Sequence, residues 1–177
     1  MTTKLVQPPF NKPTQEKTAR KTRLKSQIAD LVLAGLVSGP IAAPFLAASG
    51  LPVLTQIADI IYTMGLFVCP QPEMSLMLWP HWLMAVCMRC YGTVLALVFC
   101  RWLWSRSSGQ EAYWLGQYGV WGGLIAVVMM LFYPLEWWLQ QVGVWDYMNW
   151  VVFPFGWVAG LGLGLWVAPA LYSRPHA

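Results

Sequence analysis

Four stretches of the chain are apolar over a long distance: residues 28–50, 82–104, 113–133 and 150–172. A helix rises about 1.5 Å per residue and the hydrocarbon core is about 30 Å thick, so each can cross a bilayer. Pro40 and Pro44 are expected to bend the first of them, which neighbouring helices tolerate inside a membrane. A polar loop over residues 105–112, SRSSGQEA, joins the second and third. Residues 51–68 follow another pattern. Ile57, Ile60, Ile61, Met64 and Val68 recur at helical spacing, while Thr55, Asp59 and Thr63 gather on a different face. That periodicity predicts an amphipathic helix lying along the membrane surface or packed sideways in the protein. As a span it would carry Asp59 to mid-depth at a cost of roughly 2.5–3.5 kcal/mol. The expected fold is all-α: a polytopic transmembrane protein of about four spans plus one amphipathic helix.

Composition agrees. The chain is 58% hydrophobic and 10% charged, against roughly 25% charged in a soluble domain. Such a surface belongs in lipid. The charge it does carry is lopsided. Residues 1–27 hold Lys4, Lys12, Lys17, Arg20, Lys21, Arg23 and Lys25 against Glu16 alone, with Pro8, Pro9 and Pro13 among them. This reads as a basic, partly disordered cytoplasmic tail beside anionic lipid, not as a nucleic-acid-binding arm. The apolar run after it exceeds the ~7–15-residue core of a cleaved signal, so it is expected to be retained. With four spans and a cytoplasmic N-terminus, every Lys and Arg except Arg89 falls on the cytoplasmic side, and Glu73, Glu136 and Asp146 fall outside. A fifth span would put Arg101 and Arg106 outside, against the positive-inside rule. The organisation expected is thus a tail over 1–27, a helical domain over 28–172, an outer amphipathic helix over 51–68, a cysteine-containing loop over 69–81 and a short tail over 173–177.

Two further patterns concern packing. Trp79, Trp82, Trp137, Trp138, Trp145 and Trp150 cluster at the expected outer boundary, and Trp102 and Trp104 at the inner one. Indoles anchor at headgroup level, and a flat aromatic wall also suits a pigment. Gly156, Gly160 and Gly164 recur every fourth residue in the last span, which lines them on one face and lets another backbone approach closely. Internal packing is the favoured use of that face, and a partner subunit the other.

The candidate chemistry lies in the cysteines. Cys87 and Cys90 form a C-x-x-C around Arg89 where the second span opens, and Cys69 stands in the loop before it. Such a group can form a disulfide, bind a metal or remain free. A zinc site of the Cys₃His type would take Cys69, Cys87, Cys90 and His81. Cys100, deeper in the span, reads as a small apolar residue. Arg89 is expected to form a local ion pair, with Glu73 as its first partner and Asp59 or a lipid phosphate as the alternatives. No phosphate-binding glycine loop, metalloprotease HExxH, dinucleotide fingerprint or nucleophile–histidine–acid set is present, so catalytic residues are not expected.

IYTMGLFVCPQPEMS followed by WLMAVCMRCYGTVLAL resembles a family of small polytopic membrane proteins, domain-of-unknown-function family twenty-eighty-five. That family's pattern is a C-H-Q-x-P-E-R-S-like segment and then C-x-R-C-x-G. With the pattern's x position absent, Cys69, Gln71, Pro72, Glu73, Ser75, Cys87, Arg89, Cys90 and Gly92 occupy matching positions, while Pro70 and Met74 replace the family's histidine and arginine. If the family motif is a metal site, Pro70 removes one ligand, and either His81 substitutes or the metal is lost. The tryptophan-rich wording is similar to the cyanobacterial branch, implying a bacterial inner or thylakoid membrane. The resemblance implies no activity. The expected function is a non-enzymatic accessory or assembly subunit of a larger membrane complex, with photosynthesis as one setting and the bilayer and other membrane subunits as partners. The alternative is a thiol-redox or zinc-binding membrane protein built on the cysteine cluster.

Overall fold

The computed structural model describes residues 12–107 and 111–172, with side chains from Arg23 onward. The expected tail over 173–177 and the first eleven residues lie outside the described residues. Six helices carry the fold: α1 (Lys12–Ala48), α2 (Pro52–Val68), α3 (Met88–Arg106), α4 (Gly119–Met130), α5 (Phe132–Gln141) and α6 (Asn149–Leu171). A two-strand hairpin, β1 (Met77–Trp79) and β2 (Trp82–Leu83), stands between α2 and α3. Helix α1 begins at Lys12, so much of the stretch expected to be a disordered tail is helical. The basic residues there are good helix formers and extend the apolar helix that follows them.

Among the described residues, three helical stretches are long and apolar enough to cross a membrane: Arg23–Ala48, Leu115–Gln141 and Asn149–Leu171. The expected second span is α3. It starts at Met88, not residue 82, because Trp82 and Leu83 are paired in the hairpin. Its arginines leave it less apolar than the other three, and it is the helix most enclosed by them.

Helix directions follow from the contacts. Gly156, Gly160 and Gly164 of α6 meet Arg89, Thr93 and Cys100 of α3 in the same order, so α3 and α6 run parallel. Gly116 and Gly162 meet Pro169 and Met129, which sets the α4 segment antiparallel to α6. On α1, Val37 lies near Tyr91 and Asp30 near Arg101, so α1 runs antiparallel to α3. This is the alternation that up-and-down threading requires. A side chain at Gly156 or Gly160 would collide with the carbonyl of Arg89 or Thr93, and the glycine face is used inside the chain.

Helix α2 folds back along α1 after a turn at Gly50, whose φ of 69° is left-handed. Helix α2 packs through its small residues. Ala58 and Gly65 are buried and Ile61 and Tyr62 half-buried, whereas Ile57, Ile60, Met64 and Val68 are exposed. In lipid a large apolar side chain gains nothing by leaving the hydrocarbon, and close backbone approach selects small residues. The prolines of α1 also find a use. Pro44 has no N–H for the Pro40 carbonyl, and the Ala85 amide donates to that carbonyl at 3.3 Å. Through this bond and that of Tyr62 Oη to the Leu83 carbonyl, 2.7 Å, the segment 83–87 is fixed between α1 and α2. It delivers Cys87 to the start of α3.

Candidate functional site: a three-cysteine cluster beside a buried ion pair

Cys69 caps the C-terminus of α2, and Cys87 is the N-cap residue of α3. Cys90 stands one turn further, on the same face of α3 as Cys87. The fold brings these three together. Their sulfurs lie within 4.8 Å of one another, and all three residues are buried. The thiols are free, with Cys87 Sγ and Cys90 Sγ 3.5 Å apart, well beyond a disulfide bond of about 2.05 Å. The Cys87 amide donates to Cys69 Sγ at 3.2 Å, and Tyr133 Oη lies 2.9 Å from Cys90 Sγ. A helix N-terminus favours negative charge, so α3 suits thiolate at this place.

Arg89 points to the other side of the same turn. Its Nε donates to Glu136 of α5, its Nη1 to Gln71 Oε1 at 3.2 Å and its Nη2 to Gln140 Oε1 at 2.9 Å. The guanidinium carbon lies 5.6 Å from the centre of the Tyr133 ring, close enough for a cation–π contact. Trp145 Nε1 donates to the second Glu136 oxygen at 3.4 Å. Arg89 and Glu136 are both 0% exposed. A buried pair of this kind needs further hydrogen bonds around it, and here each guanidinium nitrogen and both Glu136 oxygens have a partner. The network also ties together the segments that carry the sulfurs. Gln71 follows Cys69 by two residues, Arg89 separates Cys87 from Cys90, and Tyr133 and Glu136 share α5.

Local sequence explains how α5 gets there. Pro134 lacks the N–H that would reach back to Met130, and the helix is interrupted at Leu131. The new helix presents Tyr133, Glu136 and Gln140 at helical spacing on the face that meets α3. The whole site lies beside Gly156, seven residues into α6, about 10 Å along its axis. It belongs to the helix layer, not to a loop above it.

Two sequence-based assignments are corrected here. Arg89 pairs with Glu136, and Glu73 is exposed on a short helical turn at Pro72–Met74. A buried guanidinium takes the acid that is buried with it. His81 is the exposed tip of the hairpin, with a left-handed φ of 69°, and does not join the sulfurs. Cys100 is buried against Gly164, as a small apolar residue would be.

A family model described as a predicted membrane protein, DUF2085, matches residues 69–166. The chain belongs to that family. The match begins at Cys69 and takes in Gln71, Cys87, Arg89, Cys90, Tyr133, Glu136 and Gln140, the whole of the site. No curated protein and no solved structure matches the chain. An all-α integral membrane protein is the plain conclusion from family and fold together.

Proposed function

We propose that this protein holds one thiophilic metal ion, Zn²⁺ foremost, between Cys69, Cys87 and Cys90. The supporting observation is the convergence of three buried sulfurs from two helix ends, all within 4.8 Å of one another. Zinc binds thiolate at about 2.3 Å, which for tetrahedral ligation sets neighbouring sulfurs about 3.8 Å apart. The Cys87 and Cys90 sulfurs, 3.5 Å apart, are close to that. Three protein ligands leave a fourth position for water or another group. Once bound, the ion would pin the end of α2 to the start of α3, the two places from which the cysteines come. The N-terminus is cytoplasmic in this reading, because the basic residues of 1–27 precede the apolar part of α1. A bacterial inner or thylakoid membrane is the setting. The test is metal analysis of protein extracted in mild detergent without chelators. One metal ion per chain, absent from Cys87→Ser, is the expected result. Metal-free protein, or equal metal in that variant, refutes the proposal.

A second reading, an accessory or assembly subunit, draws on α2. Asp59 is exposed on that helix between exposed Ile57, Ile60 and Met64. A carboxylate among lipid-facing side chains is costly, and a partner's cation beside it would remove that cost. Gentle extraction followed by size analysis tests this reading. A larger particle that Asp59→Ala dissociates supports it, and a lone monomer in every detergent rejects it.

A further inference from the structure

The N-terminal half of the α1 span stands away from the rest of the bundle. Ile28, Leu31, Val32 and Leu36 are exposed. This half is tied to α3 at two places, by the Asp30–Arg101 pair near one end and by Tyr91 Oη to the Val37 carbonyl, 3.4 Å, near the other. A groove of about 530 Å³, bounded by α1, α3 and α6, runs from below the Val37 tie past Arg101 to Lys25. That volume is within the ~300–1,000 Å³ usual for small-molecule sites. Ile28, Val32 and Leu36 form one wall, four residues apart, with Leu97, Val167 and Leu171 opposite. Lys25 stands at the rim.

We infer that this groove is a lipid site, which holds an acyl chain of an anionic phospholipid with its phosphate at Lys25. The argument has two parts. An apolar furrow open to hydrocarbon neither stays empty nor fills with water, which finds no polar partners along its Ile, Val and Leu walls. An acyl chain is the material at hand. The choice of headgroup follows from charge. Asp30 is engaged by both Nε and Nη2 of Arg101, at 2.6 and 2.9 Å, and Arg101 also lies 4.3 Å from the centre of the Tyr172 ring. These two charges cancel, which leaves the exposed Lys25 as the remaining charge among the described residues that line the groove. Basic pockets between helices on the cytoplasmic side are the usual seats of anionic headgroups. Cys100 lines the groove, but Cys69, Cys87 and Cys90 do not, and the site is independent of any metal.

The experiment is native mass spectrometry of the full chain, exchanged into detergent with equimolar phosphatidylglycerol and phosphatidylethanolamine. The expected result is one retained lipid, phosphatidylglycerol, favoured several-fold. Val32→Trp fills the groove and abolishes retention. Leu31→Trp, on the outward face of the same helix, preserves it and controls for folding. Lys25→Gln keeps a bound lipid but loses the preference for phosphatidylglycerol. Equal retention of the two lipids by the unaltered protein overturns the headgroup assignment. Unchanged retention in Val32→Trp overturns the site.

Discussion

Arg89 and Arg101 stand on the same helix and each pairs with an acid, yet their surroundings differ. Arg89 and Glu136 are fully enclosed, with Gln71, Gln140 and Trp145 completing the hydrogen bonds. Arg101 and Asp30 are joined through two oxygens but remain 31% and 40% exposed, with a single aromatic ring for company. The first pair is knitted into the site by residues from three parts of the chain. The second only bridges α1 to α3 across a groove. A buried charge forces the protein to build around it, whereas an exposed one can exchange its partner for water or a headgroup. The cysteine cluster is found beside the pair that has been built around.

The comparison breaks most visibly at Glu136. Glu136→Leu leaves the Arg89 guanidinium buried and unpaired and is expected to cost about 3–5 kcal/mol, read as a lowered thermal midpoint in detergent. The double variant Arg89→Met with Glu136→Leu is expected to recover part of that loss, because no orphaned charge remains. If the double variant is as unstable as the sum of both singles, the buried pair is not a coupled unit. Next comes the packing that holds Arg89 in place. Gly156→Val sets a side chain against the Arg89 carbonyl, with an expected cost of about 1–3 kcal/mol for overpacking. A midpoint equal to that of the unaltered chain would place α3 and α6 further apart than described. The smallest effect belongs to Arg101→Gln, expected to change stability by about 0.2–1 kcal/mol, as exposed pairs do. A loss as large as that of Glu136→Leu would erase the contrast between the two arginines.

Much of this architecture was legible in the apolar runs, because a span must be long and apolar whatever it packs against. The first, third and fourth stretches lie in the three spanning helices. The faces of the helices were harder to read. Sequence periodicity marks α2 by its large apolar residues, but contact in lipid is made by Ala58 and Gly65, which carry little hydropathy signal. The cysteine trio was readable because C-x-x-C at a helix start fixes two sulfurs on one face, with Cys69 completing the set. Arg89 was matched to Glu73 on nearness along the chain, whereas its partner is 47 residues away. A signal for Glu136 did exist: it is an acid in the otherwise uncharged run FYPLEWWLQQ, with Tyr133 and Gln140 on its face. An acid in such a run needs a cation. The helical start at Lys12 was obscured because prolines and charges before the membrane resemble a disordered tail.

The central claim is that the three sulfurs share one metal ion. X-ray absorption at the zinc edge, on protein purified with its native metal, tests this most directly. The account predicts a first shell dominated by three sulfur neighbours at about 2.3 Å, reduced in Cys69→Ser. A shell of nitrogen and oxygen alone would contradict it.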